Sequence, residues 1–389
     1  MSKWKNIALG EVLTLQRGFD LPNRNRIEGD YPIVSSSGIT GFHHEYKVKP
    51  PGVVTGRYGT LGEVFYVKEK YWPLNTALYV KDFKGNHPLF LSMMLKVVLS
   101  ANLNAAGAVP GVNRNHLHKM KLYLPPLPIQ RKIAAILSAY DELIENNNRR
   151  IAILEKMAEE IYREWFVRLR FPGHEHTKIV KGVPEGWEVR KLPAIAQITY
   201  GKPFDGARFN TSGVGKPIIR IRNIPESITC DYTDEVAEEK YIVRKGELLV
   251  GMDGEFHINH WCSQEAYLVQ RSCRIKAKDK RLEGYLAKAV YAPIKFYESI
   301  LQGATVGHLG AKHLNTMNIL LPSKNVDIDI FNTLLAQKIK YASHNTILKS
   351  TRDRLLPRLI SGKLDVEHLD IAFPPGMDDE SSQQVNEKT

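Results

Sequence analysis

Three cysteines are few for a chain of 389 residues, and none of Cys230, Cys262 and Cys273 sits in a C-x-x-C pair. That excludes a disulfide framework and leaves thiols in a reducing cytosol as the expectation. No apolar run reaches about 18 residues, so no membrane-spanning helix is expected. The opening Met1-Ser2-Lys3-Trp4-Lys5 has no apolar stretch of the kind a signal peptide needs.

Catalytic signatures are missing as well. No G-x-x-x-x-G-K-[ST] loop is present to cradle a nucleotide, and Gly56, Gly59 and Gly62 have the wrong spacing for a dinucleotide fingerprint. No G-x-S-x-G elbow occurs. The Pro-Pro pairs at 50–51, 125–126 and 374–375 lack the preceding Asn or Asp and the following aromatic with which an amino-methyltransferase grips a base. His257, His260 and Cys262 are zinc-ligand types, but three ligands within six residues strain a tetrahedral site. Because the first half of the chain has no such cluster, no metal and no cofactor are expected here.

What the chain does have is positive charge and repetition. The net charge is +12, spread as +8 over 1–125, +1 over 126–170, +4 over 171–322, +4 over 323–366 and −5 over 367–389. Basic globular parts attract a polyanion, and nucleic acid is the obvious one. Trp4 precedes Gly18 by the same fourteen residues that separate Trp187 from Gly201. Tyr31–Val34 then matches Lys216–Ile219, and Val54–Gly59 matches Leu249–Gly254. Gly107, Ala108 and Gly111 match Gly303, Ala304 and Gly307, and His116-Leu117 with Leu124-Pro125 matches His313-Leu314 with Leu321-Pro322. The offsets rise in order through 183, 185, 195, 196 and 197, as two collinear copies require.

Within each copy, short apolar runs bounded by Gly, Pro and Ser predict strands at 52–55, 61–67, 77–80, 217–222 and 247–250. Helices are expected at 89–103 and 282–301. After Pro128 the period becomes 3.5, through Ile129, Ile133, Ile136, Tyr140, Leu143, Asn147, Ile151, Leu154, Ala158, Ile161 and Trp165. This is a coiled-coil seam with a polar position at Asn147, and Phe171-Pro172-Gly173 stops it. A weaker seam runs through Leu334, Tyr341, Leu348 and Leu355, with Asn345 and Arg352 on its other position. Pro357 is expected to kink or loosen its end, and Ser361-Gly362-Lys363 to stop it. The first helix is its natural partner. The fold class is therefore α/β (α+β): two tandem mixed domains, each followed by a long helix, the helices pairing as an antiparallel coiled coil. The boundaries are 1–125, 126–170, 171–322 and 323–366, with a disordered acidic tail at 367–389.

Four local motifs resemble one family. L-P-P-L-P-I-Q-R-K-I-A-A-I-L at 124–137, Y-R-E-W-F-V-R-L-R-F-P-G at 162–173, V-P-E-G-W-E at 183–188 and L-I-S-G-K-L at 359–364 are similar to segments of type I restriction-modification specificity subunits. The second helix departs from that pattern, with F-N-T-L-L-A-Q-K at 331–338 in place of a second Q-R-K-I-A-A-I-L. The resemblance implies a non-catalytic, cytoplasmic prokaryotic subunit. Its two target-recognition domains would each read one half of a bipartite site in double-stranded DNA. Partners would be two modification (methyltransferase) subunits and, where cleavage occurs, restriction subunits, which would carry S-adenosylmethionine, ATP and magnesium.

Candidate readers follow from the repeat, as tips that differ on a shared frame. Arg57-Tyr58 faces Met252-Asp253, and Ser35-Ser36-Ser37 faces Arg220, Arg222 and Asn223. Arginine pairs with guanine, asparagine with adenine, and aspartate accepts from cytosine. Arg114 and Lys312 suit phosphate. Two rival readings are a non-catalytic repeat scaffold for other proteins and a DNA-acting enzyme with an unrecognised site.

Overall fold

The computed structural model describes residues 4–57, 62–105, 113–301 and 307–374, with backbone alone at 101–105. It forms two compact units, one built from residues up to Leu143 together with those from Leu348 onward, the other from Ile144–Ile347.

In unit 1 a four-stranded antiparallel sheet has the order Thr14–Arg17, Ala77–Asp82, Gly52–Gly56, Val64–Val67. Every residue of Gly52–Gly56 is buried, which is why this strand reads as a continuous small and apolar run rather than an alternating one. The helix Pro88–Ala105 lays Phe90, Leu91, Met94 and Leu95 on the sheet, at the spacing of one helical face. A smaller sheet sets Tyr31–Ser35 antiparallel to Gly38–His43 and parallel to Trp72–Pro73. Lys5–Ala8 pairs with Lys121–Leu124, closing the unit.

Unit 2 repeats this plan. Its four-stranded sheet has the order Ala196–Tyr200, Ser272–Ala277, Leu248–Gly251, Ile258–His260. Lys216–Ile219 runs parallel to Ala266–Leu268, Glu188–Lys191 pairs with Asn318–Leu321, and the helix is Glu283–Leu301. The repeat read from the sequence is thus a repeat of hydrogen-bonded topology. Gly18 and Gly201 show why glycine recurs, since an added Cβ would lie 2.3 Å from Leu74 O and 2.1 Å from Val269 O respectively.

The strand expected at 61–67 is shortened to Val64–Val67, with Leu61 outside the described residues, and the one expected at 217–222 is corrected. Lys216–Ile219 ends before Arg220, and Ile221–Asn223 makes a helical turn. Asn223 Oδ1 accepts the Arg220 N–H at 2.9 Å and so bends the chain back on itself.

The two long helices are Leu127–Tyr162, continued by a wider turn at Arg163–Val167, and Asp329–Ile360. The second runs through Pro357 and stops at Ser361-Gly362, where Gly362 has φ +70°. Within unit 2 they pair antiparallel. Asn147 meets Asn345 at 2.9 Å, Glu155 meets Lys338 at 2.6 Å, and the rings of Trp165 and Phe331 are 6.2 Å apart. Within unit 1 Asp141 pairs with Arg352, and Ile133, Ala134 and Leu137 share a core with Leu359, Ile360 and Val366. One seam position is displaced, because Leu143 is 52% exposed while Ile144 is buried. At the start of this helix Ile133, Ala134, Ile136 and Leu137 all pack into unit 1's core, a broader stripe than a coiled-coil seam. Of the expected tail, residues 375–389 lie outside the described residues, and its first part is pinned by Lys132 Nζ, which donates to the carbonyls of Glu367 and Leu369 at 2.8 and 2.7 Å.

Candidate nucleic-acid interface

At one end of each four-stranded sheet, main-chain hydrogen bonds gather several loops around a single short segment. In unit 1 that segment is 73–77. Pro73 O accepts from Phe19 N, Ala77 O from Gly18 N and Thr76 O from Arg57 N, while Leu74 N donates to Val34 O and Asn75 N to Phe19 O, all within 2.8–3.1 Å. In unit 2 the segment is 268–272, and the same five bonds recur at 2.8–3.2 Å. Leu268 O accepts from Lys202 N, Ser272 O from Gly201 N and Arg271 O from Met252 N, while Val269 N donates to Ile219 O and Gln270 N to Lys202 O. Backbone alone makes these bonds, so side-chain identity at the exposed ends is not fixed by them.

The candidate readers distribute around these hubs unevenly. Ser36 and Ser37 form the turn between Tyr31–Ser35 and Gly38–His43, with Gly38 at φ +98°. Ser35 itself is buried, and its hydroxyl accepts from Ser37 N at 3.1 Å and donates to Gly38 O at 3.2 Å, so it staples the turn instead of facing outward. Arg57 is half-buried at its strand end, and Tyr58 lies outside the described residues. Arg222 is 61% exposed and paired with Asp231 at 2.5 Å; Arg220 sits over the Phe209 ring with the same carboxylate 4.0 Å away. Asn223 is buried and spent on its own turn. Met252 is 5% exposed and packs among Phe256 and Leu309, so it offers no edge to a base.

Asp253 lies beside Met252 with both oxygens engaged, by the ring of His308 and by Arg271 Nε at 3.2 Å. With each oxygen shared and the side chain 17% exposed, this carboxylate is turned mainly to its own loop and not outward to cytosine. The loop is closed by Gly254 N to Gly307 O at 3.1 Å and Leu309 N to Met252 O at 2.7 Å. This brings Lys312, exposed on the helix Ala311–Thr316, into the same neighbourhood. Arg114 is the matching exposed cation of unit 1, at the start of the Asn113-capped helix Arg114–Lys119. In that helix His118 is held below its usual pKa by burial, with Arg114 and Lys84 adding to the effect. The neutral ring accepts the Leu15 N–H at 3.0 Å and anchors the helix to the sheet.

Sequence reasoning missed Arg271 and His308. The signal was available, since offset 195 sets Asn75-Thr76-Ala77 against Gln270-Arg271-Ser272. The zinc-type trio does not converge. His260 is buried, with burial the main cause of a pKa lowered to about 3, and Cys262 Sγ donates to the His260 carbonyl at 3.4 Å. Among the described residues no three His, Cys, Asp or Glu side chains are grouped to hold a metal ion, and no helix is long and apolar enough to cross a membrane.

The family model described as type I restriction modification DNA specificity domain matches residues 1–156 and again 184–349, one match for each copy of the repeat. The chain belongs to this specificity-domain family. This family member is 31% identical to the EcoBI specificity subunit of Escherichia coli over 196 residues, covering 48% of this chain and 41% of that one. It is 23% identical to the MjaIX specificity subunit of Methanocaldococcus jannaschii, of whose length 66% is covered. The MjaVIII specificity subunit of the same organism is 25% identical, with 94% of each chain covered. A crystal structure of the type I restriction-modification S subunit from M. genitalium superposes with a TM-score of 0.58 at 17% identity, covering 93% of this chain and 96% of that one, and so shares the fold.

Proposed function

We propose that this specificity-family chain is the DNA-recognition subunit of a type I restriction-modification complex, and that each repeat reads one half of a bipartite double-stranded site. In this reading 1–125 and 171–322 are the target-recognition domains. The helical segments 126–170 and 323–366 set the spacer and dock two modification subunits, with restriction subunits joining for cleavage. The chain carries no catalysis; S-adenosylmethionine, ATP and magnesium belong to its partners. The observation that carries the proposal is the pair of hubs: five identical main-chain bonds in each repeat, with different side chains at the exposed ends. A shared frame with exchanged tips is what two different half-sites require, because backbone bonds fix position while side chains specify.

Ser36, Ser37, Arg57, Arg220 and Arg222 remain as base-edge candidates, and Arg114 and Lys312 as phosphate contacts. The test is co-expression with a modification subunit in a host lacking adenine methylation, followed by single-molecule sequencing of methylated adenines. Methylation at one bipartite motif, absent without this chain, is the expected result. Arg57→Ala should alter preference in one half-site only. Methylation without any sequence preference would overturn the proposal in favour of a scaffold, and methyl transfer by the pure chain would make it an enzyme.

A further inference from the structure

The hubs also set side by side an exchange of residues between the two repeats. In unit 1 the cross-strand pair at the sheet end is Arg57 with Thr76, joined by Arg57 N to Thr76 O at 3.0 Å. In unit 2 the equivalent pair is Met252 with Arg271, joined by Met252 N to Arg271 O at 2.8 Å. Each repeat thus carries one arginine at this pair, on opposite strands. Met252 is buried, whereas the Arg271 side chain is 69% exposed. Arg271 also holds φ +67°, a conformation that a non-glycine residue adopts only at a cost.

We propose that Arg271 is the guanine-reading arginine of unit 2 and that Asp253 is its positioning residue. The proposal rests on the reading of the repeats as DNA readers. Asp253, 17% exposed and held between strand and loop, forms an ion pair with Arg271 on its Nε side at 3.2 Å, which places the guanidinium at the strand end with its Nη side turned to no other carboxylate among the described residues. A fork presented edge-on in this way matches the O6 and N7 acceptors of guanine in the major groove. The other Asp253 oxygen takes His308, which ties the 307–309 loop to the same carboxylate and limits how far the arginine can swing. Asp253 therefore acts through Arg271.

Glycine adopts φ +67° freely, so Arg271→Gly removes the side chain without harming the turn. In the co-expressed complex, Arg271→Gly should relax one guanine position of one half-site by about tenfold to a hundredfold, leaving the other half-site unchanged. Arg271→Lys keeps the charge without the fork and should relax the same position. Asp253→Asn should weaken preference there and nowhere else, and Asp253→Glu should restore part of it, which a purely structural role would not do. Uniform loss across all targets in Arg271→Gly, with full retention in Arg271→Lys, would make Arg271 a phosphate contact and overturn the proposal. If Arg57→Ala shifts one half-site while Arg271→Gly shifts none, this proposal fails and the two-reader function stands. If neither variant changes any position while methylation keeps one bipartite motif, this proposal fails and the two-reader function stands; methylation without any motif would remove both.

Discussion

Replacing Asn345 tests what holds the helix pair of unit 2 in register. Asn345 is 6% exposed, its Oδ1 accepts from Asn147 Nδ2 at 2.9 Å, and its Nδ2 donates to Asn148 Oδ1 at 2.8 Å. Asn345→Leu removes both bonds. Each net amide bond contributes about 1 kcal/mol, and the freed Asn147 and Asn148 groups are open enough for water to reach. The new leucine regains part of this by apolar burial, so a loss of about 1–2 kcal/mol is expected for the single variant. The double variant Asn147→Leu/Asn345→Leu leaves no orphan on that axis and adds a matched apolar layer, so it should return to within about 1 kcal/mol of the parent or exceed it. Urea denaturation of all four proteins, followed by tryptophan fluorescence, gives the coupling energy from the double-mutant cycle. Strict additivity, with the double variant as unstable as the two singles combined, would refute the view that these amides serve each other across the seam.

Three further outcomes follow from other parts of the chain. Gly201→Ala and Gly18→Ala each push a Cβ into a backbone carbonyl, at 2.1 Å from Val269 O and 2.3 Å from Leu74 O, and each should cost about 3 kcal/mol; an unchanged melting temperature in either variant would refute the close-approach argument. His260 is neutral in the fold with its pKa lowered to about 3, while the unfolded chain titrates near 6.5, so its contribution is intact above pH 6.5 and is lost progressively as pH falls below that. His260→Phe should flatten the fall in urea stability between pH 7.5 and 5.5, and an unchanged slope would show that another group sets it. Matched insertions of seven residues beside Asn147 and Asn345 keep the seam in phase and lengthen each helix by about 10 Å, which should add roughly three base pairs to the spacer of the methylated motif; an active variant with the original spacer would mean that the helices do not measure it.

The repeat was legible because its markers are forced by packing. Gly18 and Gly201 recur where only a hydrogen fits, and apolar runs such as Val53-Val54 and Leu249-Val250 recur where a strand is covered on both sides. The helices were legible from period, but which side chains they bury was less so. Period alone chose Leu143, whereas the fold buries Ile144 and leaves Leu143 exposed. Site residues were hardest, because exposure at a strand end depends on what the neighbouring loop covers. Met252 stands where Arg57 stands in the other copy, yet the 307–309 loop closes over it. Asn223 looked like a reader of adenine and proved to be a turn staple, since a short amide near its own backbone bonds locally. Arg271 escaped notice because its counterpart is a threonine.

The way unit 1 is closed has a consequence for synthesis. Its core includes Leu359, Ile360 and Val366, buried against Ile133 and Leu137, and Trp4 lies against Gly362. Those late residues leave the ribosome only after the whole of 144–347, the contiguous stretch that makes unit 2. The half that is translated first therefore waits, with part of its apolar core uncovered, for the half that is translated second. A nascent chain arrested between the two helices would hold a partial unit 1, and a finished unit 1 is a sign that unit 2 has already been made.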